Sequence, residues 1–225
     1  MPTPEPAEQS AGPRSRKGAE TKARLLEAAQ RVFEETGFLE ARISDIATTA
    51  GLSHGSFYHY FDSKEQVFRE IAELQEAALT APTTAAEGES EEERSGDADP
   101  DADDLSDWDR LARANRRYLE RYRDNGRIMG VIEEVSRYDP HVSEARMRRQ
   151  KHFADRAERS IRRMQAEGTA SSEIDPEIAA AALGSMVARF AELWLIEHWG
   201  DYDLDTAAEQ LTLLWAGAIG LRRPD

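Results

Sequence analysis

The sequence contains no cysteine among its 225 residues. This excludes a disulfide framework, a thiolate metal site and a thiol nucleophile, and it fits a reducing compartment. No apolar run approaches the roughly 20 residues of a membrane span, and the proline-bearing stretch from Met1 to Pro13 lacks the apolar core of a signal peptide. Runs of β-branched residues are scarce, whereas Ala, Leu, Glu and Arg are abundant. We therefore expect an all-α, soluble, cytoplasmic protein without a membrane partner.

Catalytic motifs are missing as well. The sequence has no Gly-rich phosphate loop, no nucleophile elbow and no HExxH helix, and its five histidines are scattered. They are His54, His59, His141, His152 and His198. We expect neither an enzyme nor a protein that holds a cofactor or a metal ion.

Acidic residues are in excess, with a net charge of −15 and a pI of about 4.8, but they are unevenly distributed. Nine Lys and Arg residues face eight Asp and Glu residues from Arg14 to Arg69, whereas the segment from Glu70 to Arg110 carries fifteen acids and two bases. Charges more than about 10 Å apart are largely screened at ~0.1 M salt. The overall acidity therefore does not exclude a nucleic-acid partner, provided that the acidic segment lies away from the binding surface.

The stretch from Ile43 to Lys64 has the pattern of two short helices joined by a tight turn. Gly51 supplies the backbone freedom that the turn requires, and Phe57 and Phe61 follow at helical spacing to bury the second helix. The apolar stripe of the first helix consists of Ile43, Ile46, Ala47 and Ala50. This pattern predicts a helix-turn-helix.

Short or hydrogen-bonding side chains fill the outward positions of the second helix, which is the end that a recognition helix presents to the major groove. With the residues at the start of the first helix and after the second, they form the predicted DNA-binding set. It comprises Arg42, Ser44, Ser53, His54, Gly55, Ser56, Tyr58, His59, Tyr60 and Lys64. The run Ser63 to Gln66 reads as a capping box that begins the next helix.

In this stretch the sequence resembles the TetR family of bacterial transcriptional regulators. The glycine of the bend, the Phe57-Tyr58 pair, the closing Phe61 and the Ser-Lys-Glu run after it all fall in register. The resemblance is detailed over roughly residues 18 to 72; beyond them only the length and helix layout agree. It implies a double-stranded DNA partner, phosphate contacts from Tyr58 and Lys64, and a homodimer.

For two residues in this region we expect specific DNA contacts. His54 is our candidate base reader. Arg42 departs from the family pattern, because it stands where a small hydroxyl residue usually caps the helix. We expect a weaker cap there, with Arg42 reaching a phosphate or a base instead. The alternative is that this motif is merely a pair of packed helices.

The domain boundaries follow from composition and helix signals. Residues 1–17 are predicted to be a disordered tail, with an arm that touches DNA through Arg14, Arg16 and Lys17 as the alternative. The helix-turn-helix domain occupies 18–64, and its first helix runs from Gly18 to Thr36 because Gly37 stops it. A helical effector-binding and dimerisation domain occupies 65–225 and includes a disordered acidic loop at 80–104. We favour a solvated linker for this loop over a segment that competes with DNA.

Caps and stop signals divide the second domain into helices. The predicted ranges are 65–79, 105–124, 127–138, 140–167, 176–199 and 204–221, which with the first domain makes about nine helices and no strand. Asp139-Pro140 and Asp175-Pro176 each combine an N-cap with proline at the first helical position.

The middle helices of this domain are the candidate chamber for a small-molecule effector. The predicted lining comprises Trp108, Leu111, Asn115, Tyr118, Ile132, Phe153, Met186 and Phe190, with Asn115, Tyr118 and His152 as polar tips that orient a ligand. The alternative for each residue is plain core packing. The lining offers aromatics and methionine but few obvious inward charges, so we expect a bulky, largely apolar effector.

The last two helices are predicted to form a dimer interface. Both are apolar on more than one face, so one face needs a second partner; two such helices from each subunit would close a four-helix interface. The predicted interface comprises Ala180, Gly184, Ala188, Ala191, Leu195, Leu211, Leu214, Trp215 and Ala218. The alternative is an ordinary buried helix pair.

Together these features predict a homodimeric regulator that binds a palindromic operator and is released by an effector, most simply a repressor. Two other functions remain open. One is an activator or ligand-independent DNA binder on the same fold. The other is a helical small-molecule-binding protein without DNA binding.

Overall fold

The computed structural model describes residues 16–80 and 105–224. Within these ranges the chain forms nine α-helices and no strand, so the predicted all-α class is confirmed. The helices are α1 (Arg16–Glu40), α2 (Ile43–Thr49), α3 (His54–Phe57), α4 (Lys64–Thr80), α5 (Asp107–Asp124), α6 (Gly126–Ser136), α7 (Pro140–Ala166), α8 (Pro176–Leu195) and α9 (Leu204–Ile219). The acidic stretch 81–104, predicted to be a loop, lies outside the described residues.

The chain divides into two compact units, Met1–Ala72 and Glu73–Asp225. The boundary falls inside α4, whereas the sequence placed it just before that helix. A single helix therefore carries residues of both units.

The first unit is built around α1. Its core is aromatic: the rings of Phe33 and Phe68 meet edge to face at 5.1 Å, and those of Phe38 and Phe68 lie 4.9 Å apart. Gly37 interrupts α1 with a φ of 75° and a ψ of 169°, a left-handed conformation that glycine adopts without steric cost. The predicted stop at Gly37 is confirmed.

The start of α1 requires a correction. Arg16 and Lys17 were placed in the disordered tail, but both lie in the first turn of the helix. Arg16 pairs with Glu20 one turn later at 3.4 Å. This charge pairing at helical spacing extends the helix beyond the apolar stripe on which the prediction was based. Residues 1–15 lie outside the described part of the chain.

Side-chain caps set the starts of the helices in the second unit. Ser106, Asp139, Asp175 and Asp203 accept hydrogen bonds from backbone N–H groups of the first turns of α5, α7, α8 and α9, at 2.9–3.4 Å. The predicted starts at Pro140 and Pro176 are confirmed. By contrast, α8 ends at Leu195, four residues before the predicted Trp199, and the following turn contains His198 at a φ of 53°.

In the second unit α7 packs along α8, and α5 packs along α9. At 20 residues α8 is, by length and composition alone, long and apolar enough to cross a membrane, whereas no apolar run of this length was expected from the sequence. Its Ala180 and Ala191 are fully buried inside the unit, and its Glu192 is buried beside arginine side chains. We therefore interpret α8 as a helix of the bundle.

Candidate functional site

The turn between α2 and α3 has the backbone of a helix-turn-helix. Gly51 adopts a φ of 66°, and the N–H groups of Gly51 and Leu52 donate to the carbonyls of Thr48 and Ala47, each at 2.9 Å. The guanidinium of Arg24, on α1, donates to the carbonyl of Ala50 and so holds the turn against the first helix. This role of Arg24 was not predicted from the sequence.

Arg42 and Ser53 occupy the two N-cap positions of the motif. The Arg42 side chain makes no capping hydrogen bond, as its departure from the family pattern predicted. The Ser53 hydroxyl accepts from the backbone N–H of Ser56 at 3.2 Å, and the two hydroxyls lie 2.8 Å apart. These two serines thus begin α3 and bond to each other.

The recognition helix α3 is shorter than expected, because helical hydrogen bonding ends at Phe57 and the chain continues in turns to Tyr60. Phe57 and Phe61 are buried, as predicted. The His54 and Tyr58 rings lie 5.4 Å apart, edge to face. The exposed members of the predicted DNA-binding set are Arg42, Ser44, Ser53, His54, Gly55, Tyr58 and His59, whereas Ser56 and Tyr60 are half-buried.

Lys64 occupies a different environment from the one predicted. Its ammonium donates to the carbonyls of Phe38, Leu39 and Ala41 at 2.7, 3.1 and 3.0 Å and lies 4.7 Å from the centre of the Phe38 ring. Because an ammonium has three N–H donors, these carbonyls take up all of them. The structure therefore gives Lys64 the role of a cap at the end of α1 rather than that of a free cation for phosphate.

The predicted effector-lining residues have different local environments. Asn115 donates from its side-chain amide to the hydroxyl of Thr212 at 3.1 Å, and Thr212 in turn donates to the carbonyl of Ala208 at 2.7 Å. Both side chains are buried, so Asn115 connects α5 to α9 inside the second unit. The apolar stripe marked Asn115 as unusual, but it did not reveal its partner.

The other predicted lining residues fall into separate groups. Trp108 borders a cleft of about 720 Å³ at the start of α5, with Arg223 lying 5.6 Å from its ring centre. Tyr118 and Phe153 meet edge to face at 5.5 Å. Phe190 instead packs against Trp194 and Tyr202 at 5.7 and 5.8 Å. Ile132 is fully buried, while Leu111 and Met186 are half-buried.

Another cleft, of about 440 Å³, is formed by α4 and α7 within the second unit. None of the eight predicted lining residues borders it, although His152 does. A buried ion pair lies there: the Arg149 guanidinium and the Glu76 carboxylate are 2.7 Å apart. This cleft therefore holds buried charges that the predicted lining did not include, because periodicity counts apolar positions and overlooks charged residues that are buried as pairs.

The ion pair belongs to a larger buried network. Arg146 contacts Glu133 on α6 and lies 3.8 Å from Glu192 on α8. Burial raises the pKa of Glu76 against the opposing effect of Arg149, and burial followed by the neighbouring Glu133 raises the pKa of Glu192. The interior of this unit is therefore strongly polar where α4, α6, α7 and α8 supply charged side chains.

The predicted dimer residues divide into buried and accessible groups. The structure buries Ala180, Ala191, Leu211 and Trp215 inside the second unit, so they are core positions and not the interface residues that were predicted. Leu214 and Ala218 are exposed, and Gly184, Ala188 and Leu195 are half-buried. Helices apolar on two faces do not reveal which face turns inward. The accessible apolar surface of α8 and α9 comprises Ile178, Ala181, Ala182, Leu213, Leu214, Gly217 and Ala218.

A helix-turn-helix in the first unit and a larger helical bundle in the second define a class, the helix-turn-helix proteins with an appended all-α domain. Residues 25–71 match the family described as bacterial regulatory proteins, tetR family. By this match the helix-turn-helix and the flanking parts of α1 and α4 belong to the TetR family.

Relatives extend the comparison. The chain is 47% identical over 55 residues to an uncharacterized HTH-type transcriptional regulator, YdgC of Bacillus subtilis, an alignment that covers 24% of this chain and 28% of that protein. It is 26% identical over 204 residues to the HTH-type transcriptional regulator TtgR of Pseudomonas putida, covering 83% of this chain and 90% of the relative. Identity is thus higher over the short alignment than over the long one.

The fold is shared with solved structures. The TetR family transcriptional regulator PfmR from Thermus thermophilus superposes with a TM-score of 0.63 at 21% identity, covering 89% of this chain and 100% of that one. At this identity the likeness concerns the fold alone.

Lys64→Met tests the capping role. Removing the ammonium leaves three carbonyls at the end of α1 without their donor, and we expect the free energy of unfolding of the first unit to fall by about 1–2 kcal/mol, measured by urea denaturation. Arg42→Met is the control, because Arg42 is exposed and makes no cap. Unchanged stability together with a weaker salt dependence of DNA binding would instead indicate a phosphate contact.

Gly55→Ala tests whether α3 approaches DNA closely. A Cβ at Gly55 would have no heavy atom within 4 Å, and alanine favours a helix over glycine by about 0.5–1 kcal/mol, so stability should be unchanged or higher. We expect the affinity for a DNA duplex that the wild-type protein selects from a random pool to fall by about tenfold, measured by fluorescence anisotropy titration. If the folded variant binds DNA with full affinity, Gly55 does not lie in the DNA interface.

Proposed function

We propose that this protein is a homodimeric, ligand-responsive regulator of transcription that binds a palindromic DNA operator in the cytoplasm, and that it is a repressor released by a small molecule. The proposal rests on one observation above all. The exposed residues of a helix-turn-helix, presented at the start of α3, are uncharged hydrogen-bonding groups of the kind that read base edges.

His54 and Tyr58 are the proposed centre of the DNA contact. Both are exposed and their rings touch, so the pair presents an imidazole and a phenol from one short segment. The imidazole offers a donor or an acceptor to a base edge, and the phenol reaches a phosphate oxygen. Gly55 between them lets the backbone come near the duplex.

Dimerisation is supported by the accessible apolar surface of α8 and α9. On α8 Ile178 is 70% exposed, and on α9 Leu214 is 58% exposed. Each helix also carries a glycine with open space around it, Gly184 on α8 and Gly217 on α9. Two copies of this surface can therefore approach closely about a two-fold axis, and two recognition helices about 34–36 Å apart then fit successive major-groove half-sites.

The effector is proposed to act on the second unit and through α4, which carries residues of both units. A ligand that displaces α6 and tilts α4 changes the spacing of the two recognition helices, so both can no longer fit one operator. By linkage the ligand then binds the DNA-free dimer more tightly than the complex, and a coupling of about 1–3 kcal/mol is ordinary. Equal affinity for both forms in calorimetry would rule this mechanism out.

Selection of duplexes from a random pool with the purified protein tests the DNA-binding function. We expect an inverted repeat with half-sites about one helical turn apart, and we expect His54→Ala and Tyr58→Ala to abolish its enrichment without loss of helical content. Enrichment of no palindrome would reject the proposal. Transcription from a promoter that contains the selected sequence, with and without the protein, then separates repression from activation.

Leu214→Glu tests the dimer. Two-fold pairing would place the new carboxylates in an apolar interface without counter-ions, so we expect a monomer at micromolar concentration in sedimentation velocity, whereas the wild type is a dimer. Met147→Glu, at another exposed apolar side chain (59% exposed) on α7, is the matched control and should stay dimeric. A dimeric Leu214→Glu variant would move the interface elsewhere.

A further inference from the structure

The cleft between α4 and α7 has a buried floor and an exposed rim, each formed by an ion pair. At the floor, Glu76 and Arg149 lie 2.7 Å apart, with side chains that are 4% and 3% exposed. At the rim, Glu73 and Arg148 lie 3.2 Å apart and are each 61% exposed. His152 also lines the cleft. The volume of about 440 Å³ is within the range of small-ligand sites.

The floor pair lacks the hydrogen bonds that usually support a buried ion pair. Neither oxygen of the Glu76 carboxylate has a hydrogen-bond partner of good geometry among the described residues. The same is true of Nε and Nη1 of Arg149. A buried pair stabilises a protein only when its remaining donors and acceptors are satisfied. This contact is therefore open to exchange, since an incoming group with better geometry can replace one of its members.

Glu76 and Arg149 differ in what each requires once their ion pair opens. Glu76 can become neutral by taking up a proton, and burial already raises the pKa of its carboxyl group. Arg149 keeps its charge under any ordinary condition. If the pair opens, the buried guanidinium still requires an anion, whereas the carboxyl group does not require a cation. This asymmetry selects a negatively charged ligand.

A third buried group lies beside the pair. The hydroxyl of Tyr118 on α5 is buried and has no hydrogen-bond partner in the described ranges, and the charges of Arg149 and Glu76 both act on its pKa. The cleft thus offers a planar guanidinium, which binds a carboxylate in bidentate fashion, whereas Tyr118 does not border it. Arg148 and His152 add positive or donor character at the rim.

We propose that the cleft between α4 and α7 binds a small organic carboxylate, whose carboxylate group replaces Glu76 as the ion-pair partner of Arg149. This deepens the proposed function by naming the chemical class of the effector, and it rests on that function only for its regulatory consequence. Because Glu76 is on α4, the exchange removes an ionic link between α4 and α7. Binding thereby favours a new position of the helix that continues into the first unit.

The exchange should also take up a proton. Glu76 is faced by Arg149 and Arg146 on α7, by Glu133 on α6 and by Tyr118 on α5. Losing the pairing with Arg149 removes the strongest interaction that lowers the pKa of Glu76, while burial and Glu133 continue to raise it. The free protein holds Glu76 more ionised than the complex does, so carboxylate affinity should increase as the pH falls.

Calorimetry on the full-length protein without DNA tests the site. The probes are acetate, benzoate and octanoate at constant ionic strength, with octanamide, octylammonium and phenyl phosphate as neutral, cationic and phosphate comparisons. We expect at least one carboxylate to bind, with proton uptake detected as a dependence of the heat on buffer ionisation enthalpy. Octanamide and octylammonium should not bind, and phenyl phosphate should bind at least tenfold more weakly than the best carboxylate.

Variants of the floor pair make the test specific. Glu76→Gln removes the competing carboxylate and should tighten carboxylate binding by about tenfold while abolishing the proton uptake. The double variant Glu76→Gln with Arg149→Met leaves no unpaired charge, so it should fold and should lose carboxylate binding. Glu73→Gln with Arg148→Gln, the matched change at the exposed rim, should reduce affinity no more than about threefold.

Several results would overturn the carboxylate site: no carboxylate binding to wild type or Glu76→Gln, equal binding of octanamide or octylammonium, tighter binding of phenyl phosphate, or unchanged binding by the double variant. The effect of carboxylate binding on DNA affinity has its own outcome. If a carboxylate binds as described but leaves affinity for the selected duplex unchanged, the site stands and its effector role is rejected. If DNA selection succeeds and no carboxylate binds, the DNA-binding function stands without this site.

Discussion

The conformation of α3 is imposed on it by the rest of the first unit. A helix of four residues is far below the length at which a helix is stable in water, so α3 cannot hold its shape alone. The Arg24 guanidinium fixes the turn before it, and the buried rings of Phe57 and Phe61 fix its inner side. The exposed surface of α3 is therefore only as well oriented as α1 and the aromatic core beneath it. Lys64 adds to this scaffold, because it satisfies the carbonyls at the end of α1.

The second unit is organised differently, since its helices meet around charges as well as apolar side chains. Arg146 and Arg149 come from α7, and their carboxylate partners come from α4, α6 and α8. Replacing such pairs by apolar residues is often neutral or stabilising, so a buried ion pair is weak evidence for stability. Charge pairs that add little to stability yet join several helices are well suited to an equilibrium between two arrangements.

Local chemistry made part of this structure predictable. N-cap aspartates, proline at first helical positions and the interruption at Gly37 are encoded within a few residues, and each was found where the sequence placed it. Features that depend on distant partners were not predictable. Lys64 looked like a surface cation, and its carbonyl partners lie more than twenty residues earlier. Likewise, α8 and α9 are apolar on two faces, and their periodicity did not show which face turns inward.

The hydrogen bond between Asn115 and Thr212 has a consequence for the outer face of α9. A purely apolar contact between α5 and α9 would tolerate a rotation of α9 about its own axis, since one aliphatic side chain can replace another. A buried amide and hydroxyl tolerate no such rotation without losing their partner. This bond therefore sets the angular setting of α9, with Leu211 and Trp215 on the inner side and Leu214 and Ala218 on the outer side. This buried polar pair thus determines the direction in which α9 presents its exposed aliphatic side chains.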